Sequence, residues 1–324
     1  MCAALTCFKQ VRTLDIGADQ SKACIKVCID PLSDLAIVSL FDKNILEKRS
    51  GLLLPDRSAI FNSMNDENNY DAYKPSKIAV LVEGVGVNKA QLPILQMFVL
   101  AILAGAFIGF GAAAYTAVMT GVDATFGPSK LLGGVAFSLG LILVIIGGAE
   151  LFTGNALMVM AAVDRKITIR MLLRSWAIVY SGNFVGAAGL AIAFGLTGLL
   201  DGPMGVVAAK IPEAKAALLP IEAFVRGALC NALVCLAIWL SFAARTATGK
   251  ILAILWPISA FVLLGLEHSI ANMYFFPQGW FAGSGVTMID ALGSLVWVTI
   301  GNIVGGAGGV ALAYHFAYLG QSNR

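Results

Sequence analysis

Two polar interruptions, each inside a run of residues apolar enough to lie in a bilayer, leave few folds open to this chain. The first is Glu150-Leu151-Phe152-Thr153-Gly154-Asn155 and the second is Glu267-His268-Ser269-Ile270-Ala271-Asn272, both reading E-x-x-x-x-N. Each is followed at nearly the same distance by a second echo: Gly182-Asn183-Phe184-Val185-Gly186 after the first, Gly301-Asn302-Ile303-Val304-Gly305 after the second. Two matched marks at matched spacing indicate an internal duplication. Ionisable groups at membrane depth are costly, and broken backbone is tolerated there only inside protein or along a wet cavity. The pattern therefore implies a pore.

Composition supports a bilayer rather than an aqueous home. Of 324 residues, 58% are hydrophobic and 13% charged, with mean hydropathy +0.83. Several stretches exceed the roughly 20 apolar residues that cross a hydrocarbon core as a helix, and the alternating pattern of a membrane barrel is absent. The net charge of +3 implies no nucleic-acid partner, because Lys and Arg gather at span ends rather than along one basic face. Cys230 and Cys235 lie in an apolar segment and read as buried small hydrophobes. Cys24-Ile25-Lys26-Val27-Cys28 has no matching second pair, so neither a metal site nor a cofactor is expected. No phosphate-binding loop, dinucleotide fingerprint or serine-nucleophile motif is present, which excludes an ATP-driven pump and argues against an enzyme.

In chain order, residues 1–63 are mixed and carry no run long enough to span. They read as a poorly ordered amino-terminal extension, with Met64 as an alternative start, and residues 64–324 as the channel domain. Residues 79–90 suggest an amphipathic helix at the inner membrane surface. Spans are expected over 92–119, 131–163, 171–199, 221–243, 251–273 and 291–319, the second and fifth broken. A polar link is expected over 201–220 and a Gly-, Pro- and aromatic-rich loop over 275–290. One set of connections carries Lys74, Lys77, Lys89, Arg165, Lys166, Arg170, Arg245, Lys250 and Arg324, the other only Lys130, Lys210 and Lys215. The basic excess places both termini in the cytosol. With three spans per repeat, the second half must then be inverted, so the two breaks approach the midplane from opposite sides. The fold class is an all-α integral membrane protein of the cytoplasmic (inner) membrane, with six transmembrane helices in an inverted 3+3 repeat.

His268 sits mid-span beside Glu267 and is a candidate donor of a hydrogen bond or a proton to a small anion. Thr153 holds the equivalent place in the first break, where its hydroxyl can donate and accept. Asn155 and Asn272 are expected to satisfy the broken backbone, and Glu150 and Glu267 to tie each break to neighbouring spans. Glu222 and Arg226, four apart, can pair along one helix face. His315 reads as interfacial at the cytosolic end of span six.

The segments GAELFTGN (148–155), LEHSIANM (266–273), YSGNFVGA (180–187) and TIGNIVGG (299–306) make the chain resemble the formate–nitrite transporter family, closest to bacterial formate channels. The likeness runs from about residue 74 to 319. It implies an aquaporin-like fold, although no Asn-Pro-Ala motif is present, and a homopentamer with one pore per protomer. By motif, Thr153 and His268 line the central site, Leu141 and Phe261 look like a cytosolic-side constriction, and Phe137, Phe152 and Val234 match other apolar pore positions. Asn231 and Asn302 match polar positions near the histidine, and Lys215 a vestibule lysine that draws anions in. The chain departs from those channels at Asn155, at Arg226, where an apolar residue is expected, and in lacking histidines after Lys215. The implied cargo is a small monovalent anion, formate first, carried passively or with a proton. Nitrite, lactate, acetate or hydrosulfide stand behind it. A water- or glycerol-type channel is the alternative of a different class.

Overall fold

The structure, a computed structural model, describes residues 72–123 and 125–320 and two short strands. The strands, β1 (Cys28–Ile29) and β2 (Ala36–Ile37), pair antiparallel with Cys28 opposite Ile37. The rest of the 1–63 extension and the Met64 start lie outside the described residues. The chain divides into two units, Met1–Asn69 and Tyr70–Arg324, and every helix among the described residues belongs to the second.

That unit is all helix. After α1 (Pro75–Ala90) come α2 (Ile94–Val118) and α3 (Gly127–Gly147), then a break, a 3₁₀ turn (Gly154–Met158) and the short α4 (Val159–Val163). α5 (Ile169–Gly195), α6 (Pro203–Ala216), α7 (Pro220–Ala243) and α8 (Ala247–Leu263) follow. A second break leads to α9 (Ser269–Phe281). The last span is α10 (Met288–Ile303), a π-helical stretch (Val304–Leu312) and α11 (Ala313–Tyr318). Five of these, α2, α3, α5, α7 and the α10–α11 run, are long and apolar enough to cross a membrane. α8 at 17 residues is shorter and completes a crossing only with α9 beyond its break. The chain is a multi-pass helical membrane protein.

The duplication is visible in the packing. α2 lies along α5 in the first half as α7 lies along α10 in the second. Each post-break helix then crosses to the other half: α9 packs on α5, and the 3₁₀ turn packs on the π-helical stretch. The Gly-Asn echoes explain the closeness of the paired helices. A Cβ at Gly186 would overlap the Ile102 carbonyl, and one at Gly305 the Ala228 carbonyl. Small residues let helix backbones meet in lipid, where no hydrophobic force drives them together.

Four expectations change. The 201–220 link contains helix α6, started by Pro203 at its first turn, where proline's missing N–H costs nothing. The 275–290 loop begins later, because α9 continues through Pro277 to Phe281. Residues Ser269–Phe276 are buried in an unbroken run, and that packing overrides the breaker. In the second span the break follows a full-length α3 rather than dividing two half-helices. Finally, α1 buries Glu83, at 2% exposure, while Val80 is 51% exposed. Glu83 and Lys89 turn inward to partners, while Lys77 stays exposed.

Candidate functional site

Both breaks begin alike. α3 ends at Gly148 (φ +79°) and α8 is followed by Gly265 (φ +67°), each two residues before the glutamate. A left-handed residue after a helix suits glycine, which lacks the Cβ that penalises that conformation. The next amide folds back in both cases, Ala149 N–H to the Val144 carbonyl (2.9 Å) and Leu266 N–H to the Phe261 carbonyl (3.0 Å).

The echo asparagines satisfy the backbone laid bare by the breaks. Asn183 donates to the carbonyls of Ala101 (2.7 Å) and Glu150 (2.9 Å) and accepts from Phe152 N–H (2.9 Å). Asn302 donates to the carbonyls of Gly227 (2.8 Å) and Glu267 (3.0 Å) and accepts from Ser269 N–H (2.9 Å). The two sets correspond bond for bond. Asn231 adds a clasp, donating to the Thr153 carbonyl (3.2 Å) and the Asn302 carbonyl (2.7 Å). Buried backbone groups left unmet in a bilayer would each cost several kcal/mol, on the order of the transfer penalty for an unpaired amide. The task expected of Asn155 and Asn272 thus falls to Asn183 and Asn302.

Asn155 and Asn272 serve the glutamates instead. Asn155 donates to Glu150 Oε2 (2.9 Å), and Lys89 Nζ donates to Glu150 Oε1 (2.9 Å) and Asn155 Oδ1 (3.0 Å). In the second half Asn272 donates to Glu267 Oε2 (2.9 Å), and Lys215 Nζ reaches both Glu267 oxygens (3.0 Å each). Each break therefore carries a Lys–Glu–Asn triad. Each lysine comes from a helix outside the repeat core, α1 or α6. Lys89 went unread in the sequence as a partner because nothing in its own neighbourhood signals Glu150, 61 residues on.

Thr153 and His268 meet. Thr153 Oγ1 lies 3.1 Å from His268 Nε2, both side chains buried. His268 is also the N-cap of α9: its Nδ1 accepts from Ala271 N–H at 3.1 Å. A backbone amide can only donate, so Nδ1 carries no hydrogen and the neutral ring keeps its proton on Nε2. Nε2–H then donates to Thr153 Oγ1, leaving the threonine hydroxyl hydrogen for another acceptor.

Two cavities open at the breaks, one reaching His268 and the other Gly154, the residue after Thr153. One, of about 510 Å³, is lined by His268, Glu267, Lys215, Arg226, Phe137 and Phe261 among others. The other, of about 60 Å³, is lined by Lys89, Leu151, Gly154 and Val144 among others. Phe137 and Phe261 meet edge to face at 5.4 Å, and the Phe261 ring stacks on His268 at 6.1 Å. Leu141, Phe152 and Val234 are buried in the same core. Phe152 is held edge-on by Tyr180 at 4.9 Å.

Phe261 opens on the cavity with Lys130, Lys210 and Lys215, the set opposite to the basic-rich loops. Leu151 and Gly154 of the first motif line the other cavity, and Leu151 was not singled out in the sequence. Glu222 does not pair with Arg226: its carboxylate accepts from Leu219 N–H (3.1 Å) at the start of α7. His315 is buried and lies 2.6 Å from Asp164. Nearby, Lys166 holds Glu83 of α1 at 2.5 Å. Burial pushes the Glu83 carboxyl above its usual range, Lys166 pulls it back, and Asp164 adds to the rise.

Known proteins resemble this chain over most of its length. The sequence profile described as formate/nitrite transporter matches residues 76–316. The chain is 41% identical over 249 residues to the uncharacterized transporter YrhG of Bacillus subtilis (strain 168), spanning 76% of this chain and 93% of that protein. It is 37% identical over 283 residues to the formate channel FocA of Escherichia coli (strain K12), spanning 80% and 99%. A solved structure described as a pentameric formate channel with formate bound matches at 38% identity with TM-score 0.64, covering 70% of this chain and 98% of that one.

Proposed function

Because the chain belongs to the formate/nitrite transporter family, we propose that it carries small monovalent anions, formate foremost, through a pore in each protomer of a homopentamer. The membrane is the cytoplasmic one, with both termini in the cytosol. The observation that carries this reading is the Thr153–His268 hydrogen bond, with one cavity lined by His268 and another by Gly154 beside Thr153.

A solute entering the larger cavity passes the aromatic rings of Phe137 and Phe261. The rings leave little room for a hydration shell, and moving a bare charge past them is expensive. His268 Nε2–H and the Thr153 hydroxyl compensate by donating hydrogen bonds to a carboxylate that parts them. Val234, Leu151, Phe152 and Leu141 supply the apolar collar around that point, and the exit lies toward Lys89. Asn231 and Asn302 fix the backbone beneath the pair, while Lys215 and Glu267 brace the second break.

The cap on α9 bears on how His268 acts. A second ring proton would sit on Nδ1 and displace the Ala271 N–H bond, which costs about 1 kcal/mol in typical N-caps. Hydrogen-bond donation by the neutral ring needs no such disruption. His268→Asn retains a capping acceptor and a donor but cannot titrate, whereas His268→Ala has neither. Formate flux into liposomes across a pH series separates the roles. If the ring only donates a hydrogen bond, H268N keeps substantial flux with the wild-type pH profile, and H268A loses flux by roughly tenfold or more. A flat profile in H268N beside a sloped wild type would make His268 the proton donor. Absence of formate flux in wild type would end the reading.

A further inference from the structure

Lys215 is the cation that the resemblance makes the anion attractor, yet both Glu267 oxygens lie 3.0 Å from its ammonium. That pair carries no net charge toward an approaching solute. The larger cavity nevertheless has a basic lining: Lys130, Lys210, Lys215 and Arg226 against the single carboxylate of Glu267. The attraction must come from the cations that Glu267 does not neutralise.

Among them Arg226 is bonded to the second break itself. It lies on α7, one turn after Glu222, which is occupied at the helix start. Among the described residues no carboxylate lies within ion-pair reach of its guanidinium. One of its N–H groups leans on the Gly265 carbonyl at 3.4 Å, and its own carbonyl receives Glu267 N–H at 3.4 Å. The side chain is thus steadied against the second break, three residues before His268. Its remaining donors belong to a residue lining the same cavity as the histidine. A guanidinium presents a planar fork that matches a carboxylate or another planar oxyanion, and it stays charged at any physiological pH.

We propose that Arg226 is the specificity-determining capture residue of this pore: it takes the incoming planar monoanion by its guanidinium fork and hands it to His268 and Thr153. The proposal rests on the transport reading above. Lys130 and Lys210 add long-range steering, and Lys215 acts as a structural counter-ion to Glu267.

The test is formate uptake by proteoliposomes over a range of formate concentrations, at low and high ionic strength, for wild type, Arg226→Gln and Arg226→Lys. Gln keeps a donor for the Gly265 carbonyl without the charge. The expected result is a roughly three- to tenfold higher half-saturating formate concentration in R226Q, with the saturated rate close to wild type and a weaker dependence on salt. R226K recovers the salt dependence but only part of the half-saturation, because a point charge lacks the fork. A retained saturated rate shows that the variant is folded. Wild-type half-saturation in R226Q overturns the proposal while leaving transport intact. Full recovery in R226K overturns the fork and leaves only charge. Wild type without formate uptake would sink the transport reading itself, and with it this one.

Discussion

At the scale of single residues, one contact is central to the proposed pore: Thr153 to His268 at 3.1 Å. Its geometry follows from two separate constraints. His268 is held as a helix cap by Ala271 N–H, and the Thr153 carbonyl is held by Asn231. Neither side chain can drift without breaking a buried bond. Thr153→Val keeps the shape and removes the hydroxyl, leaving Nε2–H without its acceptor. An unmet buried donor costs about 1–3 kcal/mol, so formate flux falls by roughly five- to a hundredfold, whereas Thr153→Ser stays near wild type; stopped-flow uptake distinguishes the two. The identity of both residues was legible in the sequence, because a lone mid-span histidine and its positional counterpart have few uses in lipid. Their approach was expected from the inverted repeat, whereas the direct bond between positions 115 apart comes from the fold.

At the scale of elements, the two breaks are the same device built twice. A left-handed glycine ends the helix, an echo asparagine takes over the stranded backbone, and a glutamate is tied outward to a lysine. The lysines come from α1 and α6, so these two helices brace the breaks rather than merely lie against the membrane. Glu150 is only 6% exposed, and removing one partner of a buried pair leaves an uncompensated charge. Lys89→Met is therefore expected to destabilise the protein by about 3 kcal/mol. The double variant Lys89→Met with Glu150→Gln recovers most of that loss, as read by thermal unfolding in detergent. Equal melting temperatures for the single variant and wild type would remove α1 from this bracing role. The sequence pointed to the glutamates and asparagines through their repeat. It misassigned the asparagines because an interrupted helix offers several candidate partners, and only the packing of α5 against α2 and of α10 against α7 brings Asn183 and Asn302 to the open backbone.

At the scale of the whole molecule, the two cavities differ in charge as well as size. The larger carries Lys130, Lys210, Lys215 and Arg226, the smaller only Lys89. In the proposed orientation, with the basic-rich connections in the cytosol, the smaller one is on the cytosolic side. A cysteine at Asp201, exposed between α5 and α6, should react in intact cells with a membrane-impermeant maleimide. A cysteine at Thr248, exposed near the start of α8, should react only after permeabilisation. The reverse labelling would invert the orientation and exchange the roles of the two cavities.

The sequence by itself determined that the chain crosses a bilayer, that its helical halves are duplicates, and that buried polar groups gather at two breaks. Those conclusions need only hydropathy, matched spacing and the cost of polar groups in lipid, all of which are local properties of the chain. Only the tertiary structure decided which asparagine meets which carbonyl, that Lys215 is neutralised by Glu267, and that Phe261 faces the more basic cavity. Those are distances between segments far apart in sequence, and they are set when small residues let α2 close on α5 and α7 on α10.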